Sequence, residues 1–183
     1  GFLAARAFGD NATLKGDDEV YDARFSPDGK TIYGGCRNGS LVVWDASTGR
    51  TVAEHQVHRS RLADIRVSPD GRRLVTASFD GDGAIVDAAS GQVLLRLLGH
   101  SAMVWGCAWS PDGKMVATTS QDRTVRLWNP ETGGVLKTLT QFTNPTLSCE
   151  FSADGRTLLV ASSDGTATLW DVETWSVTRE LKS

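Results

Sequence analysis

The sequence predicts an all-β protein assembled from four copies of one unit, each a set of four short antiparallel strands. Two landmarks carry that prediction. The run Ser26-Pro27-Asp28-Gly29 returns as Ser68-Pro69-Asp70-Gly71, Ser110-Pro111-Asp112-Gly113 and Ser152-Ala153-Asp154-Gly155, at steps of 42 residues. The pairs Trp44-Asp45, Val86-Asp87, Trp128-Asn129 and Trp170-Asp171 keep the same step, so the units align without a gap between landmarks. A fixed period constrains the architecture before any single residue is weighed.

Turn chemistry separates the strands, most clearly in the third unit. Val104 to Trp109 reads as a first strand, ended by Ser-Pro-Asp-Gly, where Pro presets φ and Gly accepts a positive φ. Lys114 to Thr119 reads as a second, buried strand, and Ser120-Gln121-Asp122-Arg123 turns the chain into a third, Thr124 to Trp128. Pro130-Glu131-Thr132-Gly133 then leads to a fourth, Val135 to Leu139. Four strands in a period of about 40 to 45 residues, with a Trp-Asp close, describe a β-propeller blade. The divisions that follow are an outer strand of a preceding blade at 1–9, then blades at 10–53, 54–95, 96–137 and 138–183. The opening strand is read from Gly1 to Gly9, which lines up with Gly91 to Gly99. Ser176 to Leu181 gives the fourth unit its own last strand, so the opening strand is left without a blade.

Composition narrows the function. The chain is 40% hydrophobic and 22% charged, an ordinary globular balance that argues against disorder. Its net charge of −3, with basic and acidic residues spread along the chain, offers no basic stripe for nucleic acid. No apolar stretch approaches the roughly 20 residues that span a bilayer, and Gly1 to Asp10 has no signal-peptide pattern, so a cytoplasmic setting away from membranes is expected. Cys36, Cys107 and Cys149 form no CxxC pair, which fits a reducing compartment.

In its period, its turns and its Trp-Asp closes the chain resembles the WD-repeat (WD40) β-propeller family. The resemblance implies a buried hydrogen-bonded set of His, Ser or Thr, Asp and Trp in each blade. The third blade holds the set as His100, Ser120, Asp122 and Trp128, and it is expected to be the most rigid. The second has His58, Ser78 and Asp80 but Val86 for Trp; the fourth has Ser162, Asp164 and Trp170 but Phe142 for His. The first keeps Trp44, with Gly16, Cys36 and Asn38 in the other places. The family's rings commonly close by pairing an N-terminal outer strand with three C-terminal strands. Four blades and one spare strand do not allow that closure, so the expected partners include further blades of a longer chain or a second copy. The Ser-Pro-Asp-Gly turns with Ala-, Val- and Arg-rich strands resemble bacterial members of the family.

Chemical sites are weighed against structural readings. His55, His58, Asp64, Asp80 and Asp82 invite a metal or acid–base role, but His58 and Asp80 already occupy the blade's structural positions. Asp80-Gly81-Asp82-Gly83 lacks the further oxygen ligands of a calcium loop, because Ala84 stands where a third acid or amide would be. The cysteines have no recognisable base beside them in sequence and read as small core residues. No cofactor is expected.

The resemblance also implies a partner surface, on the loops between fourth and first strands and between second and third strands. There it places Tyr21, Arg37, Arg61, Phe79, Met103, Trp105 and Gln121, mostly aromatic, Arg and Met types that anchor interfaces. The expected function is a non-catalytic protein-interaction scaffold or sensor module of a larger protein. The alternatives are an oligomerisation module, or a ligand-binding or catalytic propeller with a central-channel site. The last would need convergent polar groups from several blades, and equivalent positions here carry varied side chains.

Overall fold

The computed structural model describes Leu14 and residues 18–182, and these form sixteen β-strands with no helix among them. The first sheet contains β1 (Val20–Phe25), β2 (Thr31–Cys36), β3 (Ser40–Asp45) and β4 (Thr51–Gln56). The second contains β5 (Leu62–Val67), β6 (Arg73–Ser78), β7 (Gly83–Asp87) and β8 (Val93–Leu97). The third contains β9 (Val104–Trp109), β10 (Val116–Ser120), β11 (Val125–Trp128) and β12 (Val135–Leu139). The fourth contains β13 (Thr146–Phe151), β14 (Thr157–Ser162), β15 (Thr166–Asp171) and β16 (Val177–Lys182). Each sheet is an antiparallel meander in chain order, as a propeller blade requires. The expected strand at 1–9, and Gly16, lie outside the described residues.

The blade divisions drawn from the sequence need correction at 53/54, 95/96 and 137/138, each of which cuts a fourth strand. Ser40 pairs with Gln56, Gly83 with Leu97 and Val125 with Leu139, so the outer strand stays in its own sheet to its last residue. The Ser-Pro-Asp-Gly turns behave as read. In the third, Ser110 Oγ donates to Asp112 Oδ1 at 2.7 Å and accepts the Met115 N–H at 2.9 Å.

The first strands β1, β5, β9 and β13 lie side by side, and apolar layers fill the spaces between consecutive sheets. Leu62, Ile65, Leu74 and Val86 pack on Tyr33 and Leu41 between the first and second sheets. Val75, Ile85 and Leu97 meet Val104, Val116 and Trp128 between the second and third. Ala117, Leu127 and Leu139 meet Leu158, Val160 and Trp170 between the third and fourth. Trp44, Trp128 and Trp170 are each about 1% exposed; Trp128 and Trp170 fill layers between blades, whereas Trp44 packs with Ile32, Cys36 and Val42 of its own sheet.

Candidate protein-interaction surface

One backbone hydrogen bond per blade assembles the loop face. The residue that opens each second-to-third turn donates its N–H to the carbonyl of the residue ahead of the first strand. The pairs are Arg37 with Glu19, Phe79 with Arg61, Gln121 with Met103 and Ser163 with Pro145, each at 2.9 Å. Residues 18 apart in sequence therefore stand together, and Phe79–Arg61 and Gln121–Met103 join two pairs of expected partner residues.

A β-bulge in each first strand adds the next side chain. Val20 pairs with Cys36 and Asp22 with Gly35, which leaves Tyr21 as the extra residue. The same shift leaves out Ala63, Trp105 and Leu147. A bulge breaks the alternation of a strand and re-aims one side chain. Here it presents Tyr21 and Trp105 beside the turns. The Arg61 guanidinium lies 3.6 Å over the Tyr21 ring and 4.7 Å from the Phe79 ring, and Phe79 meets Trp105 edge-on at 4.5 Å. Tyr21, Arg61, Phe79 and Trp105 thus form one continuous row across three blades. Met103 and Gln121 lie beyond it, lining with Phe79 and Asp80 a depression of about 600 Å³. Arg37 is held apart at the first blade, 3.9 Å from Glu19, whose carboxylate also accepts the Tyr21 hydroxyl at 3.0 Å.

Beneath the third blade's loops runs a buried relay. The Trp128 indole N–H donates to Thr118 Oγ1 at 2.8 Å, and Thr118 Oγ1 lies 2.8 Å from His100 Nε2. His100 Nδ1 in turn is 2.8 Å from Asp122 Oδ2, which also accepts the Ser101 N–H. Burial pushes the His100 imidazole below its ordinary pKa, against the pull of Asp122. A neutral ring with its proton on Nδ1 satisfies the chain, with Thr118 donating to Nε2. Burial also works against the charge of Asp122, yet hydrogen bonds from Thr124, His100 and Ser101 outweigh it and hold that carboxyl at about 2.

This corrects the sequence reading at Ser120 and Ser78. The hydroxyl in the relay belongs to Thr118, whereas Ser120 Oγ accepts the Asp122 N–H and donates to the Met103 carbonyl, stiffening the turn. The second blade repeats the pattern. Thr76 Oγ1 is 2.8 Å from His58 Nε2, His58 Nδ1 is 3.1 Å from Asp80 Oδ2, and Ser78 Oγ donates to the Ser60 carbonyl. In the fourth blade Trp170 donates instead to Thr168 Oγ1, with Phe142 tilted against its ring at 5.5 Å. Asp164 takes the Thr166 N–H and hydroxyl, and Ser162 Oγ donates to the Pro145 carbonyl. In the first blade Gly34 replaces the relay threonine, and the Trp44 ring lies against it so closely that a Cβ there would overlap the ring.

A family model for the WD domain, G-beta repeat, matches residues 10–45, 49–84, 91–129 and 133–171, which is most of the chain. This chain belongs to the WD-repeat family. Each complete WD repeat begins on the outer strand of one blade and runs into the next: residues 49–84 take in β4, β5 and β6, and 133–171 take in β12 to β15. Consecutive blades are therefore stitched by sharing a repeat. No curated protein matches the chain.

The WD-repeat first strands carry a polar feature that sequence reasoning missed. Asp22 Oδ2 accepts the Ile65 N–H of the next blade at 2.9 Å, and Asp64 Oδ2 accepts the Cys107 N–H at 3.0 Å. Arg24 reaches both carboxylates, at 3.0 Å and 3.4 Å, and Arg66 lies 3.4 Å from Asp64. Burial nonetheless pushes Asp64 up to about 6, against the pull of Arg66 and the Cys107 N–H. The signal was Asp-x-Arg repeated 42 residues apart at Asp22 and Asp64. It fades at Gly106 and Ser148. Gly106 lets the backbones approach there, since a Cβ would sit a tight 3.0 Å from the Leu147 carbonyl of the fourth blade.

The remaining chemical candidates are occupied structurally. Asp80 holds His58 and the Arg59 N–H, and Asp82 lies 3.8 Å from Arg59. His55 is half-buried with its ring against Gly91 of the second blade. Among the described residues no group of three or more His, Cys, Asp or Glu side chains is placed to hold a metal ion. Burial pushes the Cys107 and Cys149 thiols well above their ordinary range, which removes their nucleophilic form.

Proposed function

We propose that this WD-repeat protein is a non-catalytic interaction module that binds a protein partner through its loop face. Repeats of this family generally mediate protein–protein scaffolding. The observation that carries the reading here is the row Tyr21–Arg61–Phe79–Trp105, with Met103 39% exposed beside it. Half-buried rings fixed by one another lose little entropy on binding, which is what an interface anchor needs. His58 and His100, the natural acid–base candidates, have fully buried side chains committed to the relays, and a substrate could not reach them. Glu19, Asp80 and Asp82 stand among the arginines of this face and favour a protein over nucleic acid or an anionic membrane. The buried Cys107 and Cys149 thiols fit a reducing, cytoplasmic setting.

The test selects random peptides on the full chain and re-measures the binders on Phe79→Ala and Met103→Asp. Binding weakened at least about tenfold by either substitution supports the reading. Binders indifferent to both would place recognition elsewhere.

A second reading is favoured by the fourth blade, whose Leu159 and Leu181 are 37% and 45% exposed. The equivalent Val75 and Leu97, and Ala117 and Leu139, are at most 2% exposed between blades. We propose that this face packs on a further blade, from a longer chain or a second copy. The mass of the chain in solution tests it: association that grows with concentration supports the reading, and a monomer at every concentration opposes it.

A further inference from the structure

We infer that Arg61 is the docking point for a carboxylate of the partner protein, an Asp or Glu side chain in an acidic peptide segment. The inference rests on the loop-face reading above and adds the chemistry of what is bound.

The guanidinium carbon lies 3.6 Å over the Tyr21 ring and 4.7 Å over the Phe79 ring, so contacts to two aromatic rings hold the group in place. Its Nε is sealed from solvent and has no hydrogen-bond partner, and the group makes no ion pair with any described residue. The neighbouring acids are committed elsewhere: Glu19 to Tyr21 and Arg37, Asp82 to Arg59, and Asp64 to Arg24 and Arg66. Arg73, by contrast, has Glu131 at 2.8 Å. The two terminal Nη groups are not sealed and carry no hydrogen bond or ion pair to a described residue, so they are the donors a partner can reach, and a carboxylate matches the pair with two parallel bonds. Stacking has already fixed the side chain, so little rotamer entropy remains to be lost on binding.

A second enclosed donor without an acceptor, Trp105 Nε1, belongs to the ring that meets Phe79 edge-on. The adjoining depression beside Met103 and Gln121 has room for the next side chain of an extended peptide. Glu19 and Asp82 on the same face penalise a doubly charged phosphate more than a singly charged carboxylate.

The experiment takes peptides selected on the full chain whose binding Phe79→Ala or Met103→Asp weakens at least about tenfold, and remakes each with Glu, Gln or phosphoserine at its acidic position. On the unaltered chain the Gln version should bind at least about tenfold more weakly than Glu. Arg61→Gln should weaken the Glu version by a similar factor and erase the Glu–Gln difference, and Arg61→Lys should restore only part of it. Melting within a few degrees of the parent shows that both variants fold. Loop-face binders that ignore both the Glu–Gln exchange and Arg61→Gln would overturn the carboxylate anchor and leave the loop-face reading standing. A phosphoserine version that binds more tightly than Glu would overturn it in favour of phosphate. A selection that yields no binder sensitive to Phe79→Ala or to Met103→Asp would overturn both readings.

Discussion

Thr118 Oγ1 accepts the Trp128 indole N–H over 2.8 Å in a space closed to water, and the same hydroxyl meets His100 Nε2 at 2.8 Å. Thr118→Val keeps the shape and removes both bonds, leaving two buried polar groups unpaired. The expected cost is about 2–4 kcal/mol, against about 1 kcal/mol for Ser120→Ala, which affects the turn alone. Urea unfolding of the two variants measures this. Equal losses would return Ser120 to the relay.

Asp64 gives the protein a pH dependence of known sign. Its folded pKa of about 6 lies above its ordinary value of 3.8, so its contribution to stability is full below about pH 4 and declines as pH rises through 6. His100 has the opposite sign: its depressed folded pKa gives stability above its ordinary 6.5 that is lost as pH falls. Asp64→Asn keeps an acceptor for the Cys107 N–H but removes the charge. The stability of variant minus parent should rise by about 2 kcal/mol from about pH 4.5 to about 7.5, with the His100 contribution cancelling in the difference. Unfolding curves at several pH values measure it, and a flat difference would contradict the burial of an unfavourable charge.

The relay and the first strands show what the sequence could and could not reveal. The 42-residue step made the sixteen strands legible because turn residues recur at Asp28, Asp70, Asp112 and Asp154, where local chemistry dictates local structure. It misled at Ser120. Residues 118 and 120 face the same side of β10, and serine recurs at 78, 120 and 162, whereas the true relay position reads Gly34, Thr76, Thr118 and Val160. The bulges at Tyr21 and Trp105 leave no trace in a repeat that keeps its period, since a one-residue shift in pairing is a property of two strands together. The grip on Arg61 combines residues from two blades, a juxtaposition that spacing within one repeat does not encode.

Gly34 and Trp44 make a coupled pair. With no threonine at position 34, the indole settles onto the strand, and Gly34→Ala would force the ring away from its packing. Overpacking of this kind costs about 1–3 kcal/mol. Trp44→Phe shortens the ring, so in the double variant the penalty of the added methyl should shrink, with a coupling of about 1 kcal/mol. A thermodynamic cycle over the four proteins measures it; strict additivity would mean that the ring does not rest on Gly34.

Alternation along β14 separates the packed face of the fourth blade from the open one. Leu158 and Val160 are fully buried against the third blade, while Leu159 between them is 37% exposed on the other side. Leu159→Glu combined with Leu181→Glu therefore adds two charges without burying either, and the melting temperature should stay within a few degrees of the parent. Leu158→Glu places a carboxylate in the layer beside Leu127 and Trp170, where an unpaired charge has no partner, and the fourth blade should unfold. Sizing with light scattering supplies the second measurement. If the open face packs on another blade, the double variant abolishes association that the parent shows at high concentration. If parent and double variant associate alike, the contact lies elsewhere and Leu159 is merely a solvated leucine.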